Sequence, residues 1–188
     1  MKVSAVRAQD VRSRDPRLFQ AIYDHNIEEV RQLIDEGSNL EDLMIFRKTA
    51  WDEFNYEIYA TPLTVAVETG NIDMVRLLLE KGAKVNTAGG RVRVPLIEAT
   101  RFINNSEIFE LLIQQPRINT CATQDRELTY DEYESNGYNG RPTNVLVPMT
   151  ASDELSNLIS RHPNQEALKR MYELLQRKTI LRKDGNKI

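Results

Sequence analysis

Side chains suited to making and breaking bonds are sparse in this sequence. The single cysteine, Cys121, and the two histidines, His25 and His162, are the groups that could supply a strong nucleophile, a base at neutral pH or a soft metal ligand. A thiolate–imidazole pair would need Cys121 and His162 to meet. They lie far apart in the chain, and no recurrent motif surrounds either. Cys121, between Thr120 and Ala122 at the start of a long connection, reads as inert. Two histidines and one cysteine at these separations do not give a metal-ligand spacing. Gly89-Gly90, standing alone before Arg91, suits a tight turn better than a phosphate-cradling loop. Carboxylates are plentiful, but nothing in their spacing sets two of them in a shielded pocket. The sequence therefore predicts no catalytic residue, no metal and no cofactor, and a protein that is not an enzyme. His25 falls in a turn between helices, where a polar residue is unremarkable.

The bulk properties narrow the field further. With 188 residues, of which 40% are hydrophobic, the chain can build a packed core. A net charge of −3 argues against a protein dedicated to nucleic acid or to anionic membrane. One cysteine permits no intrachain disulfide and points to a reducing compartment. Residues 1–15 carry Lys2, Arg7, Asp10, Arg12 and Arg14 and lack the apolar run of a secretory signal. No stretch nears the roughly 18 consecutive apolar residues that would span a bilayer. A cytoplasmic location is expected.

Self-comparison reveals the elements. The segment 61–86, TPLTVAVETGNIDMVRLLLEKGAKVN, slides forward by 33 residues to place Leu63 on Leu96, Ala66 on Ala99, Asn71 on Asn104, Val75 on Ile108, Leu78-Leu79 on Leu111-Leu112, Val85 on Ile118 and Asn86 on Asn119. Slid back by 45, the same positions fall on Leu18, Ala21, Asn26, Val30, Leu33-Ile34 and Leu40, with Gly82 on Gly37. Each copy reads as a helix pair. Val30, Leu33 and Ile34, then Val75, Leu78 and Leu79, then Ile108, Leu111 and Leu112 sit at i, i+3 and i+4, one apolar stripe per second helix. Asn26, Asn71 and Asn104 stand one turn upstream as N-caps, with Glu29 and Glu107 three residues on in two of the copies. Gly37 and Gly82 suit helix C-caps. Ala21, Ala66 and Ala99 allow close approach of the first helices. A lone pair cannot bury its stripe, so the pairs must stack.

These residues resemble the ankyrin-repeat consensus. Thr61-Pro62-Leu63, Ala66, Gly70, Val75, Leu78-Leu79, Gly82-Ala83 and Asn86 match it closely, at that family's 33-residue period, and the likeness extends over roughly residues 15–120. The outer copies depart from it: Arg17 replaces the proline of copy one, His25 and Ile103 the helix-linking glycine, and Gln115-Pro116 the Gly-Ala of copy three. The resemblance implies an all-α ankyrin-repeat solenoid of three repeats, with two long fingers and a helical C-terminal cap. Residues 1–14 would form an N-terminal tail, 15–141 the repeats, 142–182 a degenerate helical cap and 183–188 a tail. The 12 extra residues between copies one and two place one finger at 41–60, where a hairpin with arms near Leu43–Arg47 and Tyr56–Ala60 competes with a short helix. The second finger, 119–143, is acidic and aromatic, with Asn136-Gly137 and Asn139-Gly140 as turn signals. Beyond it, Ser152 or Asp153 could cap a helix reaching His162. Pro163 suits the first turn of a last helix, with Ala167, Met171, Leu174 and Leu175 as its stripe.

The resemblance also implies a function. Ankyrin stacks curve, and the finger tips with the first helices line a concave face that meets a partner. On that alignment the face presents Tyr23 and Asp24, then Glu68 and Thr69, then Arg101 and Phe102. The fingers add Arg91 and Arg93, alternating with Val92 and Val94, and the aromatic Trp51, Phe54 and Tyr59. Arg, Trp and Tyr are enriched at interface hot spots. Trp51 and Phe54 could equally pack the insertion onto the scaffold, and Arg91 and Arg93 could edge a solvated finger. The expected function is protein–protein recognition of adaptor, inhibitor or bacterial-effector type. The partner would be a protein, with no nucleic acid, no membrane insertion and a monomer favoured. The alternatives are a self-associating scaffold or an enzyme with chemistry in its C-terminal region. The basic run from Arg177 to Lys183 reads as the solvated end of the last helix, where cations complement the dipole.

Overall fold

A computed structural model describes residues 15–47, 57–87, 89, 91–101, 106–127 and 146–185. Their order is α1 (Pro16–Tyr23), α2 (Ile27–Asp35), β1 (Met44–Arg47), β2 (Glu57–Ala60), α3 (Pro62–Glu68), α4 (Ile72–Glu80), α5 (Pro95–Thr100), α6 (Ser106–Ile113), β3 (Thr123–Glu127), β4 (Leu146–Thr150), α7 (Ala151–Arg161) and α8 (Glu166–Gly185).

Local chemistry fixes where these helices begin. Asn26 and Asn71 cap α2 and α4, each side-chain oxygen accepting from the backbone N–H three residues on. At Asn26 the reciprocal contact runs from the amide Nδ2 to Glu29 Oε2 at 2.9 Å, so the box closes through side chains and not through the Asn26 backbone. Copy one starts its first helix one residue early. Asp15 is the cap and Pro16 the first helical residue, so proline is retained and Arg17 does not replace it. Thr61 caps α3, whereas Val94 supplies no side-chain cap to α5. Helices α2 and α4 end as anticipated: Ser38 N–H bonds Leu33 O and Ala83 N–H bonds Leu78 O, around Gly37 and Gly82.

The helix-linking position separates the copies. Gly70 adopts φ 73°, and His25 takes nearly the same turn at φ 55°, a conformation costly for a residue with a Cβ. Its ring Nδ1 lies 3.0 Å from Asn71 Nδ2, a side-chain contact between neighbouring copies that a glycine could not make. Asn104, Glu107's partner in the second expected capping box, and Ile103 lie outside the described residues.

The pairs stack in two rows. Helices α1, α3, α5 and α7 pack in succession as one row, while α2, α4, α6 and α8 form the other. The C-terminal pair thus continues both rows, as a fourth pair set against the third. Its start differs in detail from the sequence expectation. Thr150 is the N-cap of α7, and Asp153 closes a capping box from the third position. Helix α8 begins at Glu166, leaving Pro163 in the preceding turn, and remains helical to Gly185. The core takes Met171 and Leu175 from it as expected, with Leu168 in place of Ala167 and Leu174 partly buried against it. One continuous core runs through the stack, with Leu18, Leu63, Leu78, Leu96, Phe109 and Leu112 among its fully buried side chains.

Two antiparallel ribbons project as fingers. Of the two forms open to the insertion, the hairpin is the one adopted: β1 pairs β2 from Met44↔Ala60 to Arg47↔Glu57, and β3 pairs β4 from Thr123↔Thr150 to Glu127↔Leu146. The finger between them joins both. Tyr59 N–H donates to Arg91 O and Arg93 N–H donates to Tyr59 O, at 2.9 and 2.8 Å. At Gly89, φ is 76° and a Cβ would lie 2.5 Å from the Thr123 carbonyl oxygen, so only glycine lets this finger approach β3.

Three substitutions test this architecture. Leu78→Ala, at a fully buried position, should cost about 2–5 kcal/mol in denaturant unfolding. Leu181→Ala, where the native side chain is 70% exposed, should change stability by about 0.5 kcal/mol or less. Gly89→Ala should cost about 1–3 kcal/mol through strain and clash, with amide exchange accelerated first at residues 123–127.

Candidate functional site

The face made by the first-helix row and the fingers gathers most of the polar groups that the sequence singles out. Tyr23 and Glu68 are the last residues of α1 and α3, and Arg101 is the residue that closes α5. All three occupy one repeat position, so stacking the helices lines them up across three copies. Arg93 enters from the finger ahead of α5, its backbone fixed by Tyr59 and by Thr87 Oγ1, which donates to Arg93 O at 3.0 Å.

The centre of the arrangement is Glu98. It lies within α5 with only 1% of its side chain exposed. Arg93 Nη1 lies 3.4 Å from Glu98 Oε2, and Arg101 Nη1 lies 3.3 Å from Oε1. Gln124 on β3 donates from Nε2 to Oε1 at 2.9 Å, while its own Oε1 accepts from Val94 N–H at 2.7 Å. Gln124 thus satisfies the N–H of the N-cap residue of α5, and holds Glu98 as well. Arg93 Nη1 also donates to Glu68 Oε1 at 2.9 Å, and Arg101 Nε lies 3.7 Å from Glu154 Oε1 on α7. One ionic network therefore joins α3, α5, α7 and two fingers.

Burial tunes the outer members of this network. Desolvation pushes the Glu68 carboxyl above its ordinary range, Arg93 pulls it back, and the nearby Glu98 charge adds to the rise. The Tyr23 phenol is raised chiefly by burial, then by the Glu68 charge, against the opposing field of Arg93. Tyr23 Oη, Glu68 Oε2 and Arg101 Nε are each shielded from water and have no hydrogen-bond partner. Such atoms are costly to leave unmatched.

The remaining sequence-predicted residues distribute around this centre. Asp24 is exposed and accepts from Gln20 Nε2, and Arg91 is exposed at the finger. Thr69 is half-buried, its hydroxyl donating to Ala66 O. Tyr59 is half-buried on β2, with its backbone engaged by the next finger. Trp51, Phe54 and Phe102 lie outside the described residues. Glu98, Gln124 and Glu154 were not singled out from sequence, although Glu98 carried a signal: the 33-residue slide sets it on Val65, which is fully buried. A charge at a buried repeat position calls for a partner, and the arginines at 93 and 101 are that partner.

Bond-making groups do not converge here. Cys121 is exposed in the turn before β3, and His162 is exposed at the end of α7. Among the described residues no group of three or more His, Cys, Asp or Glu could hold a metal ion, and no helix is long and apolar enough to cross a membrane.

The raised Glu68 carboxyl gives a pH test. The folded chain holds this proton more tightly than the unfolded chain, so the group's contribution to stability is full at acid pH. It declines as pH rises from the ordinary glutamate range through the raised folded value. Glu68→Gln has no such proton. Native stability relative to the variant should therefore fall as pH rises above the ordinary glutamate range, as read from paired denaturant titrations. A flat difference would mean that Glu68 titrates normally.

A family model describing ankyrin repeats, in three copies, matches residues 18–124, more than half of the chain. Among curated proteins none matches it. With the paired helices, the two-row stacking and the projecting fingers, this match places the chain in its family: it belongs to the ankyrin-repeat proteins.

Proposed function

We propose that this chain is a protein–protein recognition module that works by binding and not by catalysis. The reading takes the first-helix row and the fingers as its concave binding face, with 142–182 as the helical cap of the repeats at 15–141. Its partner would be a protein met in the cytoplasm, bound by the chain as a monomer, in the manner of an adaptor, an inhibitor or an effector. Tyr23, Asp24, Glu68, Thr69, Arg91, Arg93 and Arg101 would form the described part of the contact, and Trp51, Phe54, Tyr59 and Phe102 would extend it.

One observation carries the reading. Three copies bring Tyr23, Glu68 and Arg101 to the same position on one face, and each keeps a polar atom without a hydrogen bond. A row that served stability alone would match those atoms within the chain or replace them with apolar groups at little cost. Exposed Asp24 and Arg91 flank the row and are reachable by a partner.

Site-specific photo-crosslinking tests this directly. A crosslinking amino acid at Asp24 or Thr69 should trap one distinct protein in cells. The same group at Arg76, exposed on the second-helix row, should trap none. The reverse pattern would overturn the assignment of the face. Trapping of a second copy of the chain from Asp24 would replace the recognition reading with self-assembly.

A further inference from the structure

We infer that the Tyr23–Glu68 end of this face is an acceptor for a basic side chain, arginine above all, presented by the protein partner. The inference rests on the reading that the first-helix face is the binding surface, and it names the chemistry that the surface selects.

The charge balance supplies the first argument. Among the described residues the network contains three carboxylates, Glu68, Glu98 and Glu154, against two guanidinium groups, Arg93 and Arg101. Carboxylates outnumber guanidinium groups there by one, and exposed Asp24 beside Tyr23 adds to the excess. An incoming anion would meet arginines already occupied by carboxylates. An incoming cation would meet the excess.

Hydrogen bonding locates that excess. Glu98 has donors from Arg93, Arg101 and Gln124. Glu68 has the Arg93 Nη1 contact on Oε1, which it shares with Glu98, and its Oε2 has none. Tyr23 Oη is likewise unpartnered, and the Glu68 charge acts on it. A guanidinium brings several N–H groups in a fixed fork, enough for a carboxylate oxygen and a phenol oxygen together. The face of the Tyr23 ring adds a cation–π surface. An ammonium would satisfy the charge but lacks the fork.

Access is compatible with this role. Glu68 keeps 26% of its side chain exposed, and the terminal torsion of a glutamate is soft, so turning the carboxylate presents Oε2 without moving α3.

The test uses the full chain and N-acetyl-arginine N-methylamide, with its citrulline counterpart as the neutral isostere. In a two-dimensional NMR titration the arginine probe should give saturable shifts at Tyr23, Glu68 and Arg93, and the citrulline probe should give none. Glu68→Gln should weaken the arginine probe about tenfold or more, the loss of one charged contact worth about 1.4 kcal/mol. Tyr23→Phe, which removes only Oη, should weaken it a few-fold while leaving the spectrum of the core unchanged. Equal shifts from both probes, or undiminished binding to Glu68→Gln, would overturn the inference. If the probe fails while crosslinks from Asp24 and Thr69 persist, the basic-residue acceptor is wrong and the binding face stands. If those crosslinks fail and the probe still binds, the acceptor exists without the partner surface proposed for it.

Discussion

A helix pair of this size leaves an apolar stripe on each side that no intrapair contact can cover, and every other feature of the molecule depends on how neighbouring pairs cover it. Val75 and Leu78 of α4 are fully buried because α2 and α6 flank that helix; Leu63, Val65 and Ala66 of α3 are buried between α1 and α5. Stability is then shared among nearest neighbours, and the ends are the weak points. The C-terminal pair answers this at one end. Helix α7 packs on α5 and α8 on α6, contributing Leu155, Leu168, Met171 and Leu175, and the second face of α8 is left to charged residues and the exposed Ile180 and Leu181.

Stacking of apolar stripes fixes distance more strictly than register, because leucine against leucine tolerates sliding. The ionic network around Glu98 supplies the register. A carboxylate with 1% exposure is expensive unless its donors arrive at the right places, and those donors come from a finger, from the end of α5 and from β3. Moving any one of these elements would strand a buried charge. Gly89 against Thr123 and the paired hydrogen bonds of Tyr59 with residues 91 and 93 complete the same task through the backbone. The fingers are thus tied to the helices and to each other by directional bonds, while the helices are tied by non-directional ones.

This division explains what could be read in advance. Repeats, helix pairs, asparagine caps and the apolar stripes are local or periodic, so they stand in the sequence at fixed offsets. The fourth pair was visible as helices, but Ser152 or Asp153 was expected as the cap of the first, whereas Thr150 caps it, at the end of strand β4, with Asp153 in the third position. The row of Tyr23, Glu68 and Arg101 was legible in sequence because the three share one repeat position. Their pairing was not legible. Arg93 and Arg101 look like free anchors until Glu98 is seen between them, and Gln124 comes from a finger whose register no periodicity encodes. The valine-to-glutamate change at the repeat position shared by Val65 and Glu98 was the one available clue.

Pairing within the chain changes what such a face can offer a ligand. An arginine already bonded to two carboxylates, with 17% of its side chain exposed, holds its neighbours in place and contributes little new attraction. On the proposed reading, recognition would rest on the groups that the network leaves incomplete and on exposed charges at its margin, where electrostatics sets encounter rate and partner choice more than raw affinity. Because the incomplete atoms sit at the same repeat position in successive copies, the stack spaces them along one line at the distance between packed helices, about 8–10 Å. A partner segment that follows this line meets Tyr23, Glu68 and Arg101 in turn, a mixed order of aromatic, acidic and basic groups that a segment read in the opposite direction would not match. On the proposed reading, stacking sets the line that a bound segment would follow.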